Sequence, residues 1–283
     1  AAYACYGLGA ALVPMYEAQL EKEWAFIIND CEAVAVIAAT QEIHEKCQKI
    51  PEKAPSLAHI IGLTLPKSNP LSYDALLEAG EKSPAPAIKP EPGDVACLIY
   101  TSGTTGNPKG VILSHGNITS NINAVHEIIP FGDDRSLAFL PWAHSMGQTC
   151  ELHAMISMGC SIAINDAIPN LVSNLAEVKP TVLLAVPRIF NRIYDGVNKQ
   201  MSARPKIIQN LFSGGIRAAT KQSKGESLGL FEKITLALAD KIVFTKVRGR
   251  FGGRLKYAFS GGAALSREVG EFIDALGITV YEG

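Results

Sequence analysis

A surplus of either charge is missing from this chain: 26 Lys and Arg stand against 27 Asp and Glu, a formal net charge of −1 over 283 residues. No bulk field recruits nucleic acid or an anionic membrane, so nucleic acid is not an expected partner and any anion site must be local. Cys-x-x-Cys pairs and His/Cys clusters are also absent. The six cysteines, at 5, 31, 47, 97, 150 and 160, are scattered, which argues against a zinc site and for reduced thiols in a cytosolic protein. Long hydrophobic runs are missing too. The uncharged stretch 1–16 lacks a basic leader, contains Pro14 and is too short to span a bilayer, so it reads as core. With no internal repeat and 47% hydrophobic residues, the chain can bury an ordinary globular core.

Short β-branched runs alternate with longer amphipathic stretches, which predicts an α/β fold with largely parallel sheets flanked by helices. Expected strands are 11–16, 33–38, 58–63, 95–101, 110–114, 136–140, 161–165, 181–186, 255–260 and 279–281. Helices are expected over 21–29, with Trp24, Ile27 and Ile28 on one face, and over 266–276, from a Ser266 cap to Gly277. Prolines 84, 86, 90 and 92 make 83–92 a loop. A seam near Pro130–Asp134 would separate two α/β lobes, 1–130 and 131–283.

The densest chemistry lies in Leu98–Gly110, Leu-Ile-Tyr-Thr-Ser-Gly-Thr-Thr-Gly-Asn-Pro-Lys-Gly. Gly103, Gly106 and Gly110 let backbone N–H groups approach an anion. Thr101, Ser102, Thr104 and Thr105 add hydroxyl donors, and Lys109 adds a point charge beside Pro108. The order Pro-Lys-Gly is not that of a Walker loop, and a bare Gly/Thr turn with a solvent-facing lysine is the plain alternative. All ten positions from Thr101 to Gly110, however, match the phosphate-binding motif of the adenylate-forming enzymes. The chain thus resembles the superfamily of acyl-CoA synthetases, luciferases and peptide-synthetase adenylation domains.

Other segments extend the resemblance over the whole chain. Val111–Asn117 looks like the continuation of the phosphate loop, with His115 read as structural. Leu140–Thr149, Leu-Pro-Trp-Ala-His-Ser-Met-Gly-Gln-Thr, is similar to the segment lining the carboxylate pocket, which makes Trp142 and His144 substrate-binding candidates. His144 and His153 form no ligand set. Ser260-Gly261-Gly262-Ala263 resembles the segment that contacts adenine and acyl group, and Gly261 is carried over to both. The long helical stretch after Arg188 looks most like bacterial long-chain fatty acyl-CoA synthetases. Lys241–Lys256 holds six basic residues and no acidic one; it reads either as a solvated helix face or as a contact for coenzyme A phosphates or an anionic membrane.

The resemblance implies a ligase that activates a fatty acid with ATP and Mg²⁺ to an acyl-adenylate, then transfers the acyl group to coenzyme A. It implies catalytic roles for Lys109, Thr104 and Thr105, with nucleotide contacts from Thr101 to Gly106, Lys109, Gly110 and Ser260 to Ala263. Thr105 is a weak metal candidate, the main Mg²⁺ ligand being expected beyond Gly283. The chain starts without Met and stops after an apolar run, so we expect a fragment of a large N-terminal domain that is inactive alone. The expected setting is cytoplasmic, with peripheral membrane contact left open. Two alternatives stay open: a ligase for a medium-chain, aryl or amino acid, and a noncatalytic nucleotide-binding scaffold.

Overall fold

The computed structural model describes residues 1–102 and 107–283, which divide into two compact units, 1–121 and 122–283. In the first unit, helix α1 (Ala2–Gly7) precedes α2 (Glu21–Asp30), and strand β1 (Ala35–Ala38) leads through α3 (Gln41–Cys47) to β2 (His59–Gly62). Then come α4 (Tyr73–Lys82), β3 (Val95–Thr101), β4 (Lys109–Ser114) and α5 (His115–Ile128). The division falls inside α5, whereas the sequence reading sets the seam after that helix, near Pro130–Asp134.

Local chemistry sets the helix ends. Glu23 accepts the Leu20 N–H at 3.0 Å at the start of α2, and Thr40 and Ser72 hydroxyls accept from the first turns of α3 and α4. Strands β1 and β2 pair in parallel, and Trp24, Ile28, Val36, Cys47, Ile50 and Leu57 close a small core over them. Strands β3 and β4 instead form an antiparallel hairpin, with Thr101 opposite Lys109 and Tyr100 opposite Gly110. That departs from the parallel expectation because the connection is too short for a crossover. Two further expectations fail. Stretch 11–16 forms only a bridge from Leu12 to Cys97, and 1–16 does not become core: α1 buries no residue and Leu8 is exposed. Alternating small and apolar residues mimic a strand, but Pro14 removes a ladder donor.

The second unit is a five-stranded parallel sheet in the order β6-β5-β7-β8-β9. Its strands and helices run β5 (Arg135–Ala138), a π-helix (Gly147–His153), α6 (Ala154–Ser157), β6 (Ser161–Ile164), a 3₁₀ turn (Ile168–Asn170), α7 (Leu171–Val178) and β7 (Val182–Ala185). They continue with α8 (Pro187–Ser202), α9 (Lys206–Ser223), α10 (Leu230–Ala239), a second π-helix (Asp240–Phe244), α11 (Thr245–Gly249), β8 (Tyr257–Ser260), α12 (Arg267–Ala275) and β9 (Thr279–Glu282). The Ser266 cap on α12 is present, its hydroxyl accepting the Val269 N–H at 3.4 Å.

Strand alternation separates two faces. Leu137, Leu183, Ala185 and Ala258 join Leu175, Phe190, Phe212, Phe244 and Phe272 in the main core under the helices. The opposite pleat carries Ser136, Ala138, Val182 and Leu184, all buried, and the π-helix 147–153 packs against β5 and β7 there. Among the described residues, no helix is long and apolar enough to cross a membrane.

Candidate functional site

In the second unit the chain leaves β5 to build β6 on one side, then returns through α7 to β7 on the other. This is a topological switch point, where the connections part and leave a crevice at the carboxyl ends of parallel strands. Leu140–Thr149 issues from that end of β5, and Ser260–Ala263 from that end of β8. Both segments singled out by sequence therefore sit on one edge of one sheet, which could not be read without the strand order.

They also touch. A Cβ on Gly261 would stand 2.6 Å from Sδ and 2.7 Å from Cε of Met146. Gly261 donates its N–H to Ala185 O at 3.2 Å, tying the turn to β7, and Gly262 takes φ +80°, a conformation that favours glycine. The two glycines thus have distinct local reasons: one makes room for a thioether, the other makes the turn. Ser260 is buried with its hydroxyl unpartnered among the described residues, and Ala263 is exposed. Glu282 accepts the Leu265 N–H at 2.9 Å and so braces the loop from β9.

His144 is exposed; its ring Nδ1 accepts the Met146 N–H at 3.3 Å, and its backbone N–H donates to Pro141 O at 3.0 Å. Trp142 is half-buried, and its indole N–H is enclosed without a hydrogen-bond partner among the described residues. Beneath this segment lies a residue that the sequence reading missed. Glu151, on the π-helix, has no exposed surface, and burial pushes its carboxyl up to about 7, against a weaker downward pull from Ser136 and Trp142. The signal was a lone acid in the uncharged run 145–152.

In the first unit, Gly103, Thr104, Thr105 and Gly106 lie outside the described residues. What frames them is described. Thr101 ends β3 and Ser102 follows it, both exposed, and Lys109 opens β4 exposed, with no ion pair among the described residues. An exposed ammonium beside exposed hydroxyls suits a polyphosphate. Gly110 has a packing reason of its own: a Cβ there would stand 2.9 Å from Cζ of Tyr100, whose hydroxyl donates to Asp30 at 2.6 Å. His115 packs edge-on against Tyr6, ring centroids 5.2 Å apart.

The basic run does not form one charged face. Arg248 pairs with Asp240 at 2.6 Å and Lys256 with Asp134 at 3.0 Å, while Arg250 donates to Gln200. Lys241, Lys246 and Arg254 remain exposed. No group of three or more His, Cys, Asp and Glu side chains is placed to hold a metal among the described residues.

The parallel sheet of the second unit, flanked by helices and with the two loops at its switch point, has the α/β fold of adenylate-forming enzyme N-terminal domains. The chain belongs to the AMP-binding enzyme family, whose model matches residues 1–283. It is 32% identical to the long-chain-fatty-acid–CoA ligase FadD15 of Mycobacterium bovis, over 99% of this chain and 48% of that protein. It is 31% identical to the peroxisomal long chain acyl-CoA synthetase 6 of Arabidopsis thaliana, over 99% of this chain and 41% of that protein. The chain therefore spans about half the length of these relatives or less. In fold it matches the adenylation domain of a carboxylate reductase from Mycobacterium chelonae, with a TM-score of 0.71 at 20% identity, over 100% of this chain and 44% of that one. The inhibitor-bound N-terminal domain of FACL13 from Mycobacterium tuberculosis matches with a TM-score of 0.66 at 21% identity, over 99% and 57%.

Proposed function

We propose that this chain is the nucleotide- and carboxylate-binding part of a long-chain fatty acid–CoA ligase. In that reaction a fatty carboxylate oxygen attacks the α-phosphorus of ATP, the bond to the β-phosphate oxygen breaks, and acyl-adenylate and pyrophosphate form. The thiol sulfur of coenzyme A then bonds to the acyl carbon, AMP leaves with the bond's electrons, and the thiol proton passes to solvent.

The observation that carries this reading is the hairpin that ends β3 at Thr101 and restarts β4 at an exposed Lys109, which has no ion pair among the described residues. Charge builds on pyrophosphate as it leaves, so preorganised donors there lower the barrier. Lys109, the hydroxyls of Thr101 and Ser102, and the Thr104–Thr105 pair would hold the β- and γ-phosphates. Mg²⁺, with Thr105 as a weak candidate ligand, supplies further charge neutralisation when bound. Trp142, His144 and the Ser260–Ala263 turn would line the carboxylate and adenylate pocket, acting by position, because a carboxylate is an adequate nucleophile only when held in line. A long acyl chain is favoured by the relatives matched and by the helical stretch α8 to α11. The same reading places the reaction in the cytoplasm, with the exposed Lys241, Lys246 and Arg254 available to an anionic membrane surface.

ATP–pyrophosphate exchange by the intact protein tests this directly, run over saturated fatty acids of increasing length beside aryl and amino acids. Exchange with long-chain acids is expected. Exchange with an aryl or amino acid alone would replace the substrate class, and exchange with none would leave a nucleotide-binding scaffold.

A further inference from the structure

Glu151 has no accessible surface, and neither of its carboxylate oxygens has a hydrogen-bond partner among the described residues. Two other buried polar atoms face it and are equally unpartnered: Ser136 Oγ from β5 and Trp142 Nε1 from the segment leading to His144. A buried ion in this condition is costly, so the group holds its proton into the neutral range. Both neighbours are donors, and a donor bonds an ionised carboxylate about twice as strongly as a neutral acceptor.

The surroundings add no competing charge. Among the elements packed most closely on the π-helix, β7 and α6 carry no ionisable side chain. Arg135 of β5 turns away to Ser161 Oγ and Val178 O. On the π-helix itself Cys150 is pushed up and His153 down by burial, so both favour their neutral forms. The π-helix is a wide turn of the kind that recurs at functional sites.

We propose that Glu151 is the positioning residue of the Trp142–His144 segment: its ionisation draws the Trp142 indole N–H and the Ser136 hydroxyl into charge-assisted hydrogen bonds, and so sets where His144 stands. The local change follows from the cluster alone. Its effect on catalysis rests on the reading of Trp142 and His144 as pocket lining.

The test is ¹⁹F NMR of the intact protein labelled with fluorotryptophan, the Trp142 resonance being assigned by its loss in Trp142→Phe. That resonance should titrate with a midpoint near 7. The midpoint should rise in Ser136→Ala, which removes a bond favouring the ionised form, and the titration should vanish in Glu151→Gln while the Trp24 resonance stays put. A Trp142 resonance that is flat across the neutral range in the wild-type protein, or that titrates unchanged in Glu151→Gln, would overturn the proposal. A flat wild-type trace overturns the proposal even where Glu151→Gln does not fold, and the midpoint shift in Ser136→Ala then carries the assignment to Glu151. In kinetics, Glu151→Gln should raise the fatty acid KM severalfold and leave the ATP KM alone. A titrating Trp142 with an unchanged fatty acid KM supports the positioning role and overturns the pocket assignment.

Discussion

The thioether of Met146 occupies the space above Gly261 that a Cβ would need, 2.6 Å from its sulfur. This contact joins the loop after β5 to the turn after β8 across the edge of the parallel sheet. It gives the pair Gly261-Gly262 two separable sensitivities.

Gly261→Ala is expected to fold, because the far end of a methionine can move and Gly283 O, 3.1 Å from the added Cβ, need shift only a few tenths of an ångström, yet to displace Met146 and the Met146 N–H bond to His144 Nδ1. Its fatty acid KM should rise tenfold or more, about 1.4 kcal/mol of lost binding, with little change in melting temperature. Gly262→Ala should show the reverse order: φ +80° in a non-glycine residue costs about 1 kcal/mol or more of stability. Thermal melts beside steady-state kinetics distinguish the two.

Asp134 is buried at 3% exposure. Burial alone would raise its pKa, but Thr181, the Gly132 N–H and Lys256 together hold the carboxyl below its usual range. A depressed folded-state pKa gives stability that is present above the unfolded-state value and lost as pH falls through the folded one. Lys256→Met should therefore destabilise at neutral pH by about 1–3 kcal/mol, and the difference from wild type should shrink as the medium becomes strongly acidic. Denaturant melts at neutral and acid pH measure both.

Glu151 has the opposite sign. Its folded-state pKa of about 7 lies above the unfolded value of 4.5, so its contribution is fully present below that unfolded value and is lost as pH rises through about 7. Glu151→Gln should gain stability relative to wild type between mildly acidic and mildly alkaline pH, by at most about 3 kcal/mol. A difference in melting temperature that is independent of pH would contradict a proton held on Glu151.

Much of this fold was legible in advance because strands of a parallel sheet are short, nearly continuous apolar runs. In the parallel sheet, 161–165, 181–186 and 279–281 were expected within a residue or so, and the antiparallel strand 95–101 was expected at its observed bounds. The run 11–16 misled because its pairing with β3 stops after the Leu12 bridge to Cys97, two residues before Pro14, which has no N–H to carry a ladder on. For the site, Trp142, His144 and Gly261 could be named from motifs, but their shared edge depended on the strand order, which no local pattern encodes. Gly110 shows the limit from the other side. It belongs to a phosphate motif, yet the space it leaves is filled by Tyr100, held by Asp30 seventy residues away in sequence. Glu151 was passed over because a single acid has no spacing to recognise; only enclosure beside Ser136 and Trp142 marks it out.

The central claim is that the hairpin from Thr101 to Gly110 holds the phosphates of ATP, and calorimetric titration of MgATP into the intact protein and its Lys109→Ala variant tests it most directly. The account predicts saturable binding by the wild-type protein and a loss of tenfold or more in affinity for a variant that melts at the same temperature. Equal affinities for the two proteins would contradict it, and would move the nucleotide site away from this loop.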